Sequence, residues 1–391
     1  MKPVEYYRGR EQTYLKHFFL ERYLERVAYN IGSFAGEFVY VDGFSGPWMS
    51  EHEKFEDTSF IIAIEQLRRV RDGLAKTGKH PRIRCVFVER DQDAFGALQR
   101  AIADVHDLEV HPIRGEFEDA IPEILTRVGR SFSLMFIDPT GWSGFGLKRI
   151  TPILQHQPGE VLVNFMFDHI NRFLDDPRPE IAESFAELFG GAGWEPVIKA
   201  GPHREEAIVD FYKERFRIAG AFSSVTSTRI LKPLADRSYF YLIYGTRHPK
   251  GLLEFRGVEK KAVEEQEHIR LSAQQQARIE RTGQQELFSV ADDRGGPRSF
   301  EEERGARIEA ARVRLDRLLT PGQRVRYEDA VAAVLEIPLV WESDLKDLIA
   351  TFRTRGELEV IGLAAGQRVP RPGCFLERRR GGASESPIRP E

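Results

Sequence analysis

The chain has 391 residues, 41% of them hydrophobic and 30% charged, with a formal net charge of −4. That length supplies a large core and predicts roughly two or three domains, and the composition excludes a disordered chain. No stretch approaches the roughly 20 apolar residues that span a bilayer, and the N-terminus from Met1 to Arg8 lacks the apolar core of a secretory signal, so a cytoplasmic location is the default expectation. The two cysteines, Cys85 and Cys374, argue against a disulfide framework or a thiolate metal site. With charges of both signs nearly balanced, contact with nucleic acid needs a local basic patch.

In chain order, Leu15, Phe18, Phe19, Tyr23, Leu24 and Val27 recur at spacings of three and four, which predicts an amphipathic helix over 13–29. Lys16 and His17 on it read as solvated or capping side chains. Next, an apolar run from Phe38 ends at Asp42 and is followed by Gly43-Phe-Ser-Gly46. A strand, an acid and a glycine turn are how a first βα unit approaches a nucleotide-like cofactor, because glycine lets the backbone come close. A full G-x-G-x-x-G is absent, and Trp48 follows the turn. A helix begins near Asp57 or Thr58, either of which is a plausible N-cap.

Residues 83–88 form a second apolar strand that ends at Glu89-Arg-Asp91, and a carboxylate there suits a ribose diol. After a helix over 93–103 comes a third strand over 109–113, whose following turn, Gly115-Glu-Phe-Glu-Asp119, could meet an adenine. The fourth strand, 134–137, runs into Asp138-Pro-Thr-Gly-Trp142, and the fifth, 160–167, into Asp168-His-Ile-Asn-Arg172. His169 reads as a packing or capping residue. Alternating helices and largely uncharged strands specify a doubly wound, Rossmann-like α/β sheet. Right-handed crossovers then set Asp42, Glu89, Glu116 and Asp138 along one edge.

A helical insertion is expected over about 170–217, split at Gly190-Gly-Ala-Gly193, with its aromatic residues as core. Two antiparallel strands, 223–230 and 239–245, complete a first domain of residues 1–258. Residues 259–304 are rich in Glu, Gln, Arg and Ala and read as a charged helical linker. Residues 305–391 have the outline of a winged helix: helices over 327–335 and 343–355, then a hairpin of 358–361 with 368–375, its second strand confined to an edge by Pro370 and Pro372. Arg353, Arg355, Arg368, Arg371 and Arg378-Arg-Arg380 give this end a basic face, open equally to nucleic acid and to protein.

Five segments, Tyr40-Val-Asp-Gly-Phe-Ser-Gly46, Phe87-Val-Glu-Arg-Asp91, Phe136-Ile-Asp-Pro-Thr-Gly-Trp142, Val163-Asn-Phe-Met-Phe-Asp-His-Ile-Asn-Arg172 and Tyr241-Leu-Ile-Tyr-Gly-Thr-Arg-His248, together resemble the three-Cys-motif partner proteins, TcmP. The resemblance covers nearly the whole chain. It implies a class I methyltransferase fold and a partner encoded nearby, a three-Cys-motif protein resembling radical S-adenosylmethionine enzymes. More distantly, the segments are similar to bacterial enzymes that methylate the exocyclic amine of adenine in 23S ribosomal RNA.

That likeness implies S-adenosyl-L-methionine as cofactor. Asp42, Gly43 and Gly46 would line its methionine part, Glu89 its ribose, and Glu116 with Phe117 its adenine, with Phe44 and Arg90 also among the cofactor-binding residues. Asp138 and the Pro139 carbonyl would accept hydrogen bonds from a target amine. Thr140 and Gly141 replace the second proline and the aromatic of the related Asp-Pro-Pro-Tyr, so stacking on the target falls to Trp142. The expected function is therefore a methyltransferase-like protein acting on an amine of a nucleic acid. The alternative is a non-catalytic accessory protein that binds the three-Cys-motif partner or nucleic acid. A third reading, a nuclease holding Mg²⁺ on the carboxylate rim, demands converging oxygen ligands that separate strands do not obviously supply.

Overall fold

The apolar runs do become strands, and each sends alternate side chains into two different cores. A computed structural model describes residues 2–46, 55–201, 203–282 and 297–379; Trp48 and Arg380 lie outside them. The chain divides into two compact units, Met1–Val290 and Ala291–Glu391. Among the described residues no helix is long and apolar enough to cross a membrane.

The first unit opens with α1 (Glu11–Gly32) and β1 (Glu37–Asp42), then α2 (Ser59–Ala75), β2 (Arg82–Glu89), α3 (Gln92–Ile102) and β3 (Glu109–Arg114). It continues with α4 (Phe117–Val128), β4 (Ser133–Ile137), α5 (Leu147–Leu154) and β5 (Gly159–Phe165). A helical stretch follows, α6 (Phe167–Phe173), α7 (Pro179–Leu188), α8 (Trp194–Ala200) and α9 (Arg204–Gly220), before β6 (Ser224–Leu231), β7 (Ser238–Thr246) and α10 (Pro249–Thr282). The seven strands form one sheet in the order β3-β2-β1-β4-β5-β7-β6. All neighbours from β3 to β5 are parallel, and β7 runs antiparallel to both β5 and β6. A mixed α/β unit with this mostly parallel sheet is a Rossmann-like fold.

On one face, Phe38, Tyr40, Phe87 and Phe136 join buried residues of α1, α2 and α10. On the other, Val39, Val41, Val88 and Ile137 join α4, α5 and α9. After β1 the chain builds outward to β2 and β3, then returns to lay β4 on the opposite side of β1. The switch point thus lies between β1 and β4, and open α/β sheets bind ligands in the crevice beyond the carboxyl ends of such strands. Asp42 is the last residue of β1 and Asp138 follows the last residue of β4.

Three sequence expectations differ from the structure. Residues 259–270 are not a solvated linker. They continue α10, where Val258, Ala262, Val263 and Ile269 are buried, and Arg256 and Glu259 form a buried ion pair at 2.6 Å. The stripe of spacing three and four was hidden by the surrounding charges. Likewise, residues 297–304 already belong to α11 (Pro297–Leu318), the first helix of the second unit.

That unit continues with β8 (Arg324–Arg326), α12 (Tyr327–Leu335), α13 (Glu342–Thr354), β9 (Leu358–Ile361) and β10 (Phe375–Arg378). The third difference is that the second hairpin strand runs over 375–378 instead of 368–375. Pro370 and Pro372 offer no N–H to a ladder, so pairing begins beyond them. There β10 is the central strand of an antiparallel sheet, β8-β10-β9. Inside the unit, Arg304 lies over the Trp341 ring at 4.0 Å and pairs with Asp344 at 2.8 Å. Both cysteines are buried, and burial pushes the Cys85 thiol up to about 12.

Candidate functional site

A cavity of about 300 Å³ opens at the switch point. Its lining includes Lys16 from α1, Ser59 from α2, Asp138 and Pro139 after β4, Asn164 from β5 and His169 from α6. The glycine turn after β1 contributes Phe44 and Gly46.

Asp138 is gripped from two sides. Lys16 Nζ donates to its Oδ2 at 2.6 Å, and Asn164 Nδ2 donates to its Oδ1 at 2.6 Å. Both ion-pair partners are nearly buried, with side chains 14% and 11% exposed. The Asn164 amide has no second choice of orientation, because turning its oxygen toward Asp138 would face an acceptor with an acceptor. Its Oδ1 is left buried without a hydrogen bond.

Asp42 lies beneath the cavity, fully buried. Ser59 Oγ donates to its Oδ2 at 2.6 Å, and the Phe44 backbone N–H donates to its Oδ1 at 3.1 Å. Burial pushes this carboxyl up to about 6; the Ser59 and Phe44 hydrogen bonds oppose the rise and the nearby Asp138 charge adds to it. The turn itself is pinned by Gly43 N–H to the Phe136 carbonyl at 2.9 Å and Ser45 N–H to the Val88 carbonyl at 2.8 Å.

The remaining predicted residues fall into two groups. Glu89, at the end of β2, is buried, accepts from the Asp91 N–H at 2.7 Å, and has its carboxyl raised mainly by burial. Arg90 and Glu116 form an exposed pair at 3.6 Å. Phe117 packs on Gly43 so closely that a Cβ there would meet its ring at 2.7 Å, and the Phe44 and Phe117 rings lie 5.3 Å apart. Of this group, Glu89, Arg90, Glu116 and Phe117 do not line the cavity that holds Asp138. Neither does Trp142. Its indole N–H donates to Ser184 Oγ at 2.9 Å, and its rings pack at 5.0 and 5.4 Å from Phe173 and Phe185 in the helical layer.

Sequence reasoning missed Lys16, Ser59 and Asn164 and set His17 in the wrong environment. His17 is buried, bonded to the Tyr7 hydroxyl at 3.2 Å, and its pKa is well below the usual imidazole range because of burial and the neighbouring Lys16 and Arg10 charges. Lys16 is an ion-pair partner inside the cavity, not a solvated side chain. A signal for it existed: Lys16 shares a helix face with Phe19, Leu20 and Tyr23, at spacings of three, four and seven, and all three are fully buried. His169 also lines the cavity, and burial together with the Arg172 charge lowers its pKa. Asp168 faces elsewhere. Burial works against its charge, but Lys232 at 2.9 Å and Arg237 outweigh that and hold its carboxyl below the usual range.

Among the described residues no group of three or more His, Cys, Asp or Glu side chains converges as a metal site.

No protein-family model matches the chain, and no curated protein matches it. Among solved structures it is similar to a protein of Legionella pneumophila str. Philadelphia 1 described by the family model DUF519, with 12% identity over 60% of this chain and 84% of that chain and a TM-score of 0.35. It is also similar to a loganic acid methyltransferase with SAH, with 11% identity over 54% of this chain and 73% of that chain and a TM-score of 0.25.

Proposed function

We propose that this chain is an S-adenosylmethionine-dependent methyltransferase-like protein that acts on an amine of a nucleic acid and works with a three-Cys-motif partner of the radical-S-adenosylmethionine type, as the TcmP resemblance implies. The observation that carries the reading is Asp138, fixed by Lys16 and Asn164 at the lip of a cavity on the switch point of the sheet. When bound, S-adenosylmethionine supplies an electrophilic methyl group. Asp42, Gly43, Phe44 and Gly46 are assigned to its methionine end, Glu89 with Arg90 to its ribose, and Glu116 with Phe117 to its adenine.

The chain's own contribution is orientation. An ionised carboxylate has about four acceptor positions, and Lys16 and Asn164 use one on each oxygen of Asp138. The free positions, with the Pro139 carbonyl, accept the N–H groups of a target amine and leave its lone pair for attack. Asp138 is then also the nearest acceptor for the proton that the methylated nitrogen must lose. Trp142 is outside this arrangement, so its expected stacking role is not part of the proposal.

The second unit is read as a winged helix that grips nucleic acid. In support, Arg353, Arg355, Arg368 and Arg371 are exposed and, among the described residues, none makes an ion pair, which leaves their charge for phosphates. A specific observation also favours the non-catalytic alternative: the Asp138 carboxylate is already neutralised by Lys16.

A thermal-shift titration with S-adenosylmethionine and S-adenosylhomocysteine tests the cofactor assignment, since a ligand that binds the native state raises its melting point by mass action. A saturable shift in the wild type that is lost in Asp42→Ala is expected. No shift at millimolar ligand rejects the cofactor. A shift without methyl transfer to any nucleic acid, with the three-Cys-motif partner present, leaves the accessory role.

A further inference from the structure

A second and larger cavity, about 620 Å³, lies at the opposite edge of the same sheet. It is framed by the C-terminal half of α1, the starts of β1 and β5, the loop before β4, and the first turn of α10. Its volume falls within the roughly 300–1,000 Å³ of small-molecule sites. Val27, Ile31, Phe34 and Phe132 give it apolar walls, and Phe34 is 73% exposed.

The floor holds an unusual group. Glu160 is 5% exposed and makes no ion pair among the described residues. Its Oε2 accepts from the Tyr23 hydroxyl at 2.6 Å and its Oε1 from the Thr246 hydroxyl at 3.1 Å. The Tyr23 and Tyr244 hydroxyls are in turn 2.6 Å apart. A buried carboxylate is ordinarily paired. Here burial raises its pKa, hydrogen bonds from Tyr23, Tyr244 and Thr246 oppose the rise, and the nearby Glu254 adds to it. Of the other charges around it, Arg84 binds Glu37 and Ser131 and Arg26 binds Glu254, while Arg130 and Lys250 also line the cavity as exposed residues, Lys250 donating to Asn30 at 3.2 Å. Gly251 packs its backbone against this group, since a Cβ there would stand 2.3 Å from both Glu160 Oε1 and the Tyr244 hydroxyl.

We propose that this cavity is a binding site for an organic ammonium compound, whose cationic nitrogen pairs with Glu160 and whose aromatic or aliphatic body lies between Ile31, Phe34 and Phe132. The carboxylate retains an acceptor position beyond those used by Tyr23, Tyr244 and Thr246, and a cation satisfies both its charge and that lone pair. The site is separate from the Asp138 cavity and does not depend on the methyltransferase reading.

Phenethylammonium is the probe, with 2-phenylethanol as its neutral isostere, each titrated calorimetrically into the full-length protein at pH 7.5. The ammonium binds saturably and at least tenfold tighter than the alcohol. Glu160→Gln abolishes that preference, Phe34→Ala weakens both compounds several-fold, and Lys16→Met in the other cavity changes neither. Should Glu160→Gln fail to fold, carbon-13 NMR of the wild type serves in its place: the titration of the Glu160 carboxyl moves to lower pH with the ammonium and stays put with the alcohol. Equal binding of the two compounds, an unmoved Glu160 titration, or loss of binding in Lys16→Met overturns the proposal.

Discussion

Asp42→Asn is the sharpest test of how the switch point is built. The carboxyl is fully buried, and its pKa rises from 3.8 to about 6 because burial outweighs the hydrogen bonds from Ser59 and Phe44. At about 1.4 kcal/mol per pH unit, that displacement corresponds to about 3 kcal/mol. The sign follows from linkage: the folded state holds this proton more tightly than the unfolded chain, so the contribution is fully present below pH 3.8 and is lost as pH climbs through about 6. Asparagine is isosteric and never ionises. Its carbonyl can still accept from the Phe44 N–H, and the Ser59 hydroxyl can rotate to accept from its amide. Urea unfolding at intervals from pH 4 to 8 measures the difference between variant and wild type, which cancels the titration of all other carboxyls. The variant gains about 2.4 kcal/mol on the wild type between pH 4 and 7. A difference that is flat with pH refutes the assignment of Asp42 as a carboxylate held in a desolvated site.

The Lys16–Asp138 pair is tested by a double-mutant cycle. Lys16→Met and Asp138→Asn each strand a nearly buried partner and cost about 3 kcal/mol in urea unfolding, while the double variant costs at least about 1 kcal/mol less than their sum; strict additivity denies the contact. Gly43→Ala drives a methyl into the Phe117 ring, 2.7 Å away, and loses about 1–3 kcal/mol of stability through overpacking, which Phe117→Leu relieves. Trp142→Phe deletes the bond to Ser184 at about 1 kcal/mol and leaves any methyl-transfer rate unchanged; a rate lowered tenfold or more at unchanged stability would return Trp142 to the substrate.

Much of the sheet was legible because its determinants are local. Phe38 to Val41 and Leu134 to Ile137 are short apolar runs closed by turn residues, and each run with its closing acid defines a strand and its rim position without reference to anything else in the chain. The rim geometry was therefore accessible for Asp42 and Asp138, and the antiparallel pair β6 and β7 followed from the two β-rich runs after the helical layer. The second hairpin strand of the C-terminal unit was misplaced for an equally local reason. Arg368 to Phe375 carries β-prone residues, but two prolines without N–H groups push the ladder to Phe375–Arg378, where β8 supplies a further partner that only three residues, Arg324–Arg326, announce.

What spacing cannot carry is the pairing of side chains from distant elements. Asp138 meets Lys16 across 122 positions of sequence, and Glu160 meets Tyr23 across 137; no window contains either pair. Yet both contacts come from the same element. Helix α1 carries Lys16 to the carboxyl edge of the sheet and, two turns on, Tyr23 toward the amino edge, at about 1.5 Å of rise per residue. A polar residue on the buried stripe of such a helix must find a partner on the sheet beneath it. The productive question for α1 was therefore not whether Lys16 and Tyr23 belong to the apolar face, which the spacing already gives, but which strand-borne carboxylate each of them reaches. The parallel order of β1, β4 and β5 answers it, because it presents Asp138 at one end of that face and Glu160 at the other.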